Sequence, residues 1–322
     1  MKAAVYYETG GPEVLRYEDV PDPSLHRRGV VIEVKAISIE GGDALNRAGG
    51  PMPSTPHIVG YQCAGVIREV GESVEDRQPG QRVVTIISSG SHAELASAPS
   101  GSTWVLPGNL GFDEAVCIPV PFGTADDCLF EFGHLQEGET VLIQAGASGV
   151  GIAATQLAKR AGATVLATAS SDEKLERLKE FGLDHGINYT KQDFVAAAQE
   201  LTEGKGVDLV VDSVGGRTLE NSIKALRYRG RAITVGFAGR DDEKPDPRLL
   251  LMGSKSLTGV LFAAEMGYAR ERTKTLVQRL LQEVADGKLR VVVDKTFPLA
   301  EAAQAHAYLE SRQVFGRVVM HP

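Results

Sequence analysis

The sequence predicts an α/β chain in which a mostly β domain is interrupted by a doubly wound parallel domain. Residues 1–120 carry short β-branched runs, GVVIEVKAIS (29–38), CAGVIREV (63–70) and QRVVTII (81–87), each bounded by Gly, Pro or Ser. From about residue 123, continuous apolar strands alternate with amphipathic helices, the pattern of a parallel sheet covered on both faces. After residue 264, β content returns in VVVDKTFPLAEAAQAHAYLESRQVFGRVVM, which predicts that the chain rejoins its first domain. The expected division is 1–122 with 264–322, and 123–263.

Within the second domain, strand TVLIQA (140–145) precedes helix VGIAATQLAKRAG, and strand ATVLATA precedes helix SDEKLERLKEFG. HGINY and VDLVVDSVG read as strands, and KQDFVAAAQELTEG and RTLENSIKALRYRG as helices. RAITVGF (231–237) and SLTGVLF (256–262) read as the last strands. SLTGVLF falls at the sheet edge, and an unpaired apolar edge predicts a homodimer.

The 322 residues are 43% hydrophobic and 24% charged, as in globular proteins, with a formal net charge of −8. That charge argues against nucleic acid or an anionic membrane as the main partner. The N-terminus lacks a signal-peptide core and no apolar run nears the ~20 residues of a membrane span, so a cytoplasmic location is expected. Cys63, Cys117 and Cys128 show neither disulfide nor zinc-knuckle spacing and read as small buried hydrophobes.

The first α/β strand ends in Gly146-Ala147-Ser148, and Gly149, Gly151 and Ala154 give G-x-G-x-x-A as the helix opens. The first glycine allows a tight turn, the second lets a pyrophosphate approach the backbone, and the alanine lets helix and strand pack closely. Ser148, Gly149, Val150 and Gly151 are therefore the candidate diphosphate cradle. The second strand ends in Thr168-Ala169-Ser170-Ser171, with Lys174 one turn later, where an NAD site usually has an acidic residue. Two hydroxyls and a lysine suit a 2′-phosphate, hence NADPH. The serines read equally as helix N-caps, a role compatible with the first.

With these motifs, VDSVGG and LESRQVFGRVV, the whole chain resembles the medium-chain dehydrogenase/reductase superfamily, in its zinc-free quinone oxidoreductase (zeta-crystallin-like) branch. The resemblance implies a GroES-like catalytic domain plus a doubly wound Rossmann domain. It implies that Ser170, Ser171, Lys174, Tyr189 and Arg312 hold the 2′-phosphate, and that Thr124 lies near the diphosphate and nicotinamide ribose. Val214, Phe237 and Phe262 would wall in the nicotinamide from strand ends.

Zinc-dependent members carry a Cys shortly before an Asp, a Gly-His-Glu and a second Cys. Here the first position falls in the Glu40–Gly42 turn, Gly-His-Glu is Gly60-Tyr61-Gln62, and Cys117 is the distant thiol. Zinc catalysis needs three protein ligands, so no metal is expected. Without a metal or a Ser-Lys or Tyr-Lys dyad, alcohol oxidation lacks a base. The reading is NADPH reduction of a quinone or an α,β-unsaturated carbonyl compound. An enoyl-thioester reductase, with LRYRGR (226–231) as a basic channel, and an NADPH-binding protein with little turnover are the alternatives.

No catalytic side chain is assigned. Glu40 and Tyr61 are candidate ribose or substrate contacts, while Gln62 and Asp126 read as structural. Glu40 also reads as a proton donor or a structural carboxylate, with Asp43 as helix N-cap. The loop histidines His57 and His92 read as solvated. Glu40, Leu45 and Asp126-Asp127 replace a common Asn, Tyr and aromatic of the branch, which loosens any transfer of substrate identity.

Overall fold

The first 120 residues, including the three β-branched runs, form eight strands in the computed structural model, which describes residues 1–322. They are β1 (Lys2–Tyr6), β2 (Arg16–Asp19), β3 (Gly29–Ser38), β4 (His57–Ile58), β5 (Gln62–Val70), β6 (Arg82–Ile86), β7 (Leu95–Pro99) and β8 (Thr103–Val105). β1 pairs antiparallel with β2 and β4, and β3 pairs antiparallel with β5 and β7. β3 is buried along nearly its whole length, with only Glu33 and Lys35 exposed, which explains its near-continuous apolar sequence.

The alternating second segment supplies β9 (Thr140–Ile143), β10 (Thr164–Ala169), β11 (His185–Asn188), β12 (Val207–Asp212), β13 (Leu226–Thr234) and β14 (Ser256–Gly259). All pair in parallel, in the order β11-β10-β9-β12-β13-β14. This is the 3-2-1-4-5-6 order of a dinucleotide-binding sheet, whose strand order reverses between β9 and β12. The chain then returns through β15 (Val293–Pro298) and β16 (Arg317–His321) to the first sheet. β16 pairs antiparallel with the end of β3, Val319 opposite Ser38.

The two units are Met1–Val120 with Glu271–Pro322, and Pro121–Arg270. The later break falls beyond residue 264 because the helix Phe262–Tyr268 belongs to the second unit. Two sequence boundaries move. Helical pattern ends at Ala225 and β13 begins at Leu226, because buried Leu226 pairs with Val207. β14 stops at Gly259, and Phe262 opens a helix instead of ending a strand, its ring packing where a side chain on Gly123 would lie.

Candidate functional site

The glycine loop sits at the end of β9, where the strand order reverses. Ser148 caps the helix Gly149–Arg160, its Oγ accepting the Gly151 N–H at 3.0 Å. A Cβ on Gly151 would lie 2.5 Å from the carbonyl oxygens of Ala145 and Gly146, so only glycine closes this turn. The first-turn N–H groups of Gly149 and Val150 have no intrahelical acceptor, as at any helix start, a geometry that can accept an anion.

Ser170, Ser171, Lys174 and Tyr189 gather at the ends of β10 and β11, where Ala169 pairs with Asn188. Ser171 caps the next helix, accepting the Lys174 N–H at 3.3 Å. Asp172, the acidic residue of this tip, faces β11 instead: Asn188 donates to its Oδ1 at 2.6 Å and Lys191 to its Oδ2. Those bonds, the Asn188 one first, hold its carboxyl below the usual range. Tyr189 is 45% exposed. Asn188 and Lys191 escape sequence reasoning because their partner is 16 and 19 residues away. Arg312 lies in the first unit, past the helix Ala302–Glu310.

Thr124, Val214, Phe237 and Phe262 all belong to the second unit. Thr124 is buried in the helix Pro119–Asp126. Phe262 is 5% exposed and packs beside Gly123, where a Cβ would lie 2.3 Å from its ring. Val214 follows β12, and Phe237, 62% exposed, lies over Gly215.

In the first unit, the pairing of β16 with β3 brings Arg317 to Glu40. Glu40 is 3% exposed, and its Oε1 accepts from Ser38 and Gln62, each at 3.0 Å, and from Arg317. Arg317 Nη2 also donates to Ser38 Oγ at 2.7 Å and to the Ile39 carbonyl at 2.6 Å. Burial pushes the Glu40 carboxyl upward, and Arg317 opposes the rise. Glu40, not Asp43, occupies the N-cap position of the helix Gly41–Gly49. Asp43 is the third helical residue and accepts the Glu40 N–H at 2.8 Å. The Tyr61 ring covers Gly42, where a Cβ would lie 2.8 Å from its hydroxyl. Burial, then Glu40 and Asp43, push that hydroxyl well above its usual value.

This donor set does not suit zinc. No three His, Cys, Asp or Glu side chains converge to hold a metal. Glu40 carries a guanidinium, and burial pushes the Cys117 thiol up to about 12, away from the thiolate a metal would take.

The expectation of solvated loop histidines is wrong. His57 and His92 are both buried. Arg47 Nη1 lies 3.1 Å from His306 Nδ1, His306 Nε2 lies 3.0 Å from His92 Nε2, and His92 Nδ1 lies 3.3 Å from Ser91 Oγ. Arginine only donates, so His306 accepts at Nδ1 and donates from Nε2. His92 then accepts at Nε2 and donates from Nδ1, and both rings are neutral. Burial lowers His92 to about 3 and His306 well below its usual value. His92 therefore contributes stability fully above about pH 6.5 and loses it as pH falls toward the folded value, because the unfolded chain protonates first. Between about pH 7.5 and 5.5 the wild type should lose about 1.4 kcal/mol more unfolding free energy than His92→Gln. Urea unfolding across that range checks this, and parallel curves would contradict it.

Two family models match the chain: "Alcohol dehydrogenase GroES-like domain" over residues 26–124 and "Zinc-binding dehydrogenase" over residues 149–283. A 2-haloacrylate reductase of Burkholderia sp is 35% identical, over 99% of this chain and 98% of its own. A quinone oxidoreductase of Rattus norvegicus is 30% identical, over 99% and 97%. The structure of Escherichia coli quinone oxidoreductase complexed with NADPH has a TM-score of 0.94 at 30% identity, over 100% of both chains. With its GroES-like and Rossmann domains, the chain belongs to the medium-chain dehydrogenase/reductase superfamily of oxidoreductases, in the quinone oxidoreductase branch.

Proposed function

We propose that this chain is an NADPH-dependent, zinc-independent reductase acting on a quinone or an α,β-unsaturated carbonyl compound. The reading rests on the Arg317–Glu40 pair: in the Glu40–Gly42 turn, where by resemblance zinc-dependent members carry a ligand, the one carboxylate is paired with a guanidinium. Alcohol activation by a metal then has no ligand set, and an electron-poor acceptor remains. The relatives' names agree with this: one reduces 2-haloacrylate, an electron-poor alkene, and others act on quinones. The neighbour bound to NADPH supports the choice of cofactor.

Ser148, Gly149, Val150 and Gly151 would hold the diphosphate, with Thr124 beside it. Ser170, Ser171, Lys174 and Tyr189 would hold the 2′-phosphate, and Arg312 is kept on resemblance alone. Val214, Phe237 and Phe262 would border the nicotinamide. Bound NADPH supplies the hydride. The chain's own part is to orient the acceptor, exclude water and donate hydrogen bonds to the developing oxyanion. Tyr61, kept protonated by its raised pKa, is a suitable donor to substrate or ribose. Glu40 is committed to Arg317 and acts as a structural carboxylate.

NADPH oxidation with quinones, enones and acyl thioesters tests the reading. Turnover on the first two classes is expected, unchanged by chelators and without stoichiometric zinc. The thioester alternative is less favoured, since Arg227 and Arg231 of LRYRGR are paired with Asp208 and Glu139, which leaves the exposed Arg229 as the remaining arginine of that stretch. NADPH binding without turnover on any acceptor would favour a binding role. We also infer a homodimer, because β14 lies at the sheet edge with Leu261 and Tyr268 exposed nearby, and keep the cytoplasmic location as an expectation from the sequence. Light scattering at twice the chain mass is the expected result.

A further inference from the structure

The second unit contains a buried polar chain that crosses the point where its strand order reverses. The Ala145 N–H lies 3.2 Å from Thr168 Oγ1, and that hydroxyl donates to Gln144 Oε1 at 2.7 Å. Gln144 Nε2 donates to Ser222 Oγ at 3.1 Å, and Ser222 donates to Asp212 Oδ2 at 2.8 Å. The other carboxylate oxygen, Oδ1, accepts the N–H groups of Val214 and Gly215, both at 2.8 Å. Thr168, Gln144, Ser222 and Asp212 are all buried. Each hydroxyl both accepts and donates, so the donors run in one direction toward the carboxylate, an arrangement in which successive bonds reinforce one another.

The two ends of the chain are informative. One is the glycine loop, where Ala145 adopts φ of +52°, a left-handed conformation unfavourable for a residue with a side chain. Its N–H points at Thr168, and the next residue, Gly146, donates to the Thr168 carbonyl at 2.8 Å. The other is the turn after β12, where Gly215 and Gly216 have φ of +76° and +56°. Thus the two turns at the ends of β9 and β12, each with unusual backbone, are tied together by this side-chain relay, beside the backbone bond from the Gln144 N–H to the Val211 carbonyl at 2.9 Å.

We propose that Thr168, Gln144, Ser222 and Asp212 are positioning residues for the dinucleotide: they hold the glycine loop and the Val214–Gly216 turn in binding geometry before the cofactor arrives. This deepens the proposed function and rests on its assignment of the glycine loop to NADPH.

Thr168→Val tests it, since valine keeps the shape but removes both the acceptor for Ala145 and the donor to Gln144. The expected result is a ten- to hundredfold weaker NADPH dissociation constant, about the effect of one buried donor left unpaired. KM for NADPH should rise with kcat at saturation nearly unchanged. Amide exchange of residues 144–149 in the cofactor-free protein should quicken, and Thr168→Ser should restore both readouts. Ser222→Ala, which breaks the chain at another link, should reproduce the loss if Thr168→Val fails to fold. Wild-type affinity and exchange in a folded Thr168→Val or Ser222→Ala would overturn the proposal, as would a loss that Thr168→Ser does not repair. If the wild type itself bound no NADPH, the cofactor reading would fall, and exchange alone would decide whether the chain orders the loop.

Discussion

Replacing Arg317 with methionine is expected to lower the unfolding free energy by about 3–5 kcal/mol, the loss typical of a buried ion pair stripped of one partner. Arg317 and Glu40 are both nearly inaccessible, at 9% and 4% side-chain exposure, so solvent cannot replace the missing charge. The variant leaves the Glu40 carboxylate with neutral donors such as Ser38 and Gln62, and leaves the Ile39 carbonyl without the Arg317 bond. The carboxyl responds by taking up a proton, which makes the loss smaller at low pH. Adding Glu40→Gln to Arg317→Met removes the unpaired charge, so the double variant should be more stable than the single one. Denaturant unfolding of the three proteins checks this. A loss below about 1 kcal/mol for Arg317→Met would mean that the pair is solvated.

How far the sequence reveals this molecule depends on the range of the interactions. Strands of the second unit are legible because a parallel strand covered on both faces is largely apolar, as in the Val141–Ile143 run of β9 and the Leu209–Val211 run of β12. The glycine loop is legible because its constraints lie within a few residues: Gly151 faces the backbone of Ala145 and Gly146. Glu40 is different. Its decisive partner is 277 residues away and meets it only because β16 pairs with β3. The sequence does hold a trace of this, an arginine inside the otherwise apolar run FGRVVM. His92 fails for the same reason: its partner His306 is 214 residues distant, and a single histidine in a Ser-Gly loop carries no sign of burial. Asp43 reads from the sequence as the cap of a helix starting at Ala44, yet Glu40 takes that position because the helix begins three residues earlier, at Gly41.

Lys174→Glu should weaken NADPH by about a hundredfold, or ~2.7 kcal/mol, while NADH binding changes severalfold at most. On the proposed assignment, the difference would arise because only NADPH brings a 2′-phosphate to the tip of β10. Ser171 fixes the start of the helix that carries Lys174, through the Lys174 N–H itself. Asp172, which would otherwise repel that phosphate or accept from a ribose, is drawn toward Asn188 and Lys191. The discrimination should shrink as salt is raised, since the site is near the surface. Titrations with both dinucleotides check it, and an equal loss for NADPH and NADH would remove the 2′-phosphate from this position.

In the proposed reaction, hydride would pass from NADPH to an electron-poor carbon or quinone without a metal. Its most direct test is turnover of an enone with NADPH deuterated at the nicotinamide C4 position, in the presence of a chelator. The expected product of the correctly labelled stereoisomer carries one deuterium at its β-carbon. Enone reduction that leaves the product unlabelled with either C4 stereoisomer, or that stops when metal is removed, would contradict it.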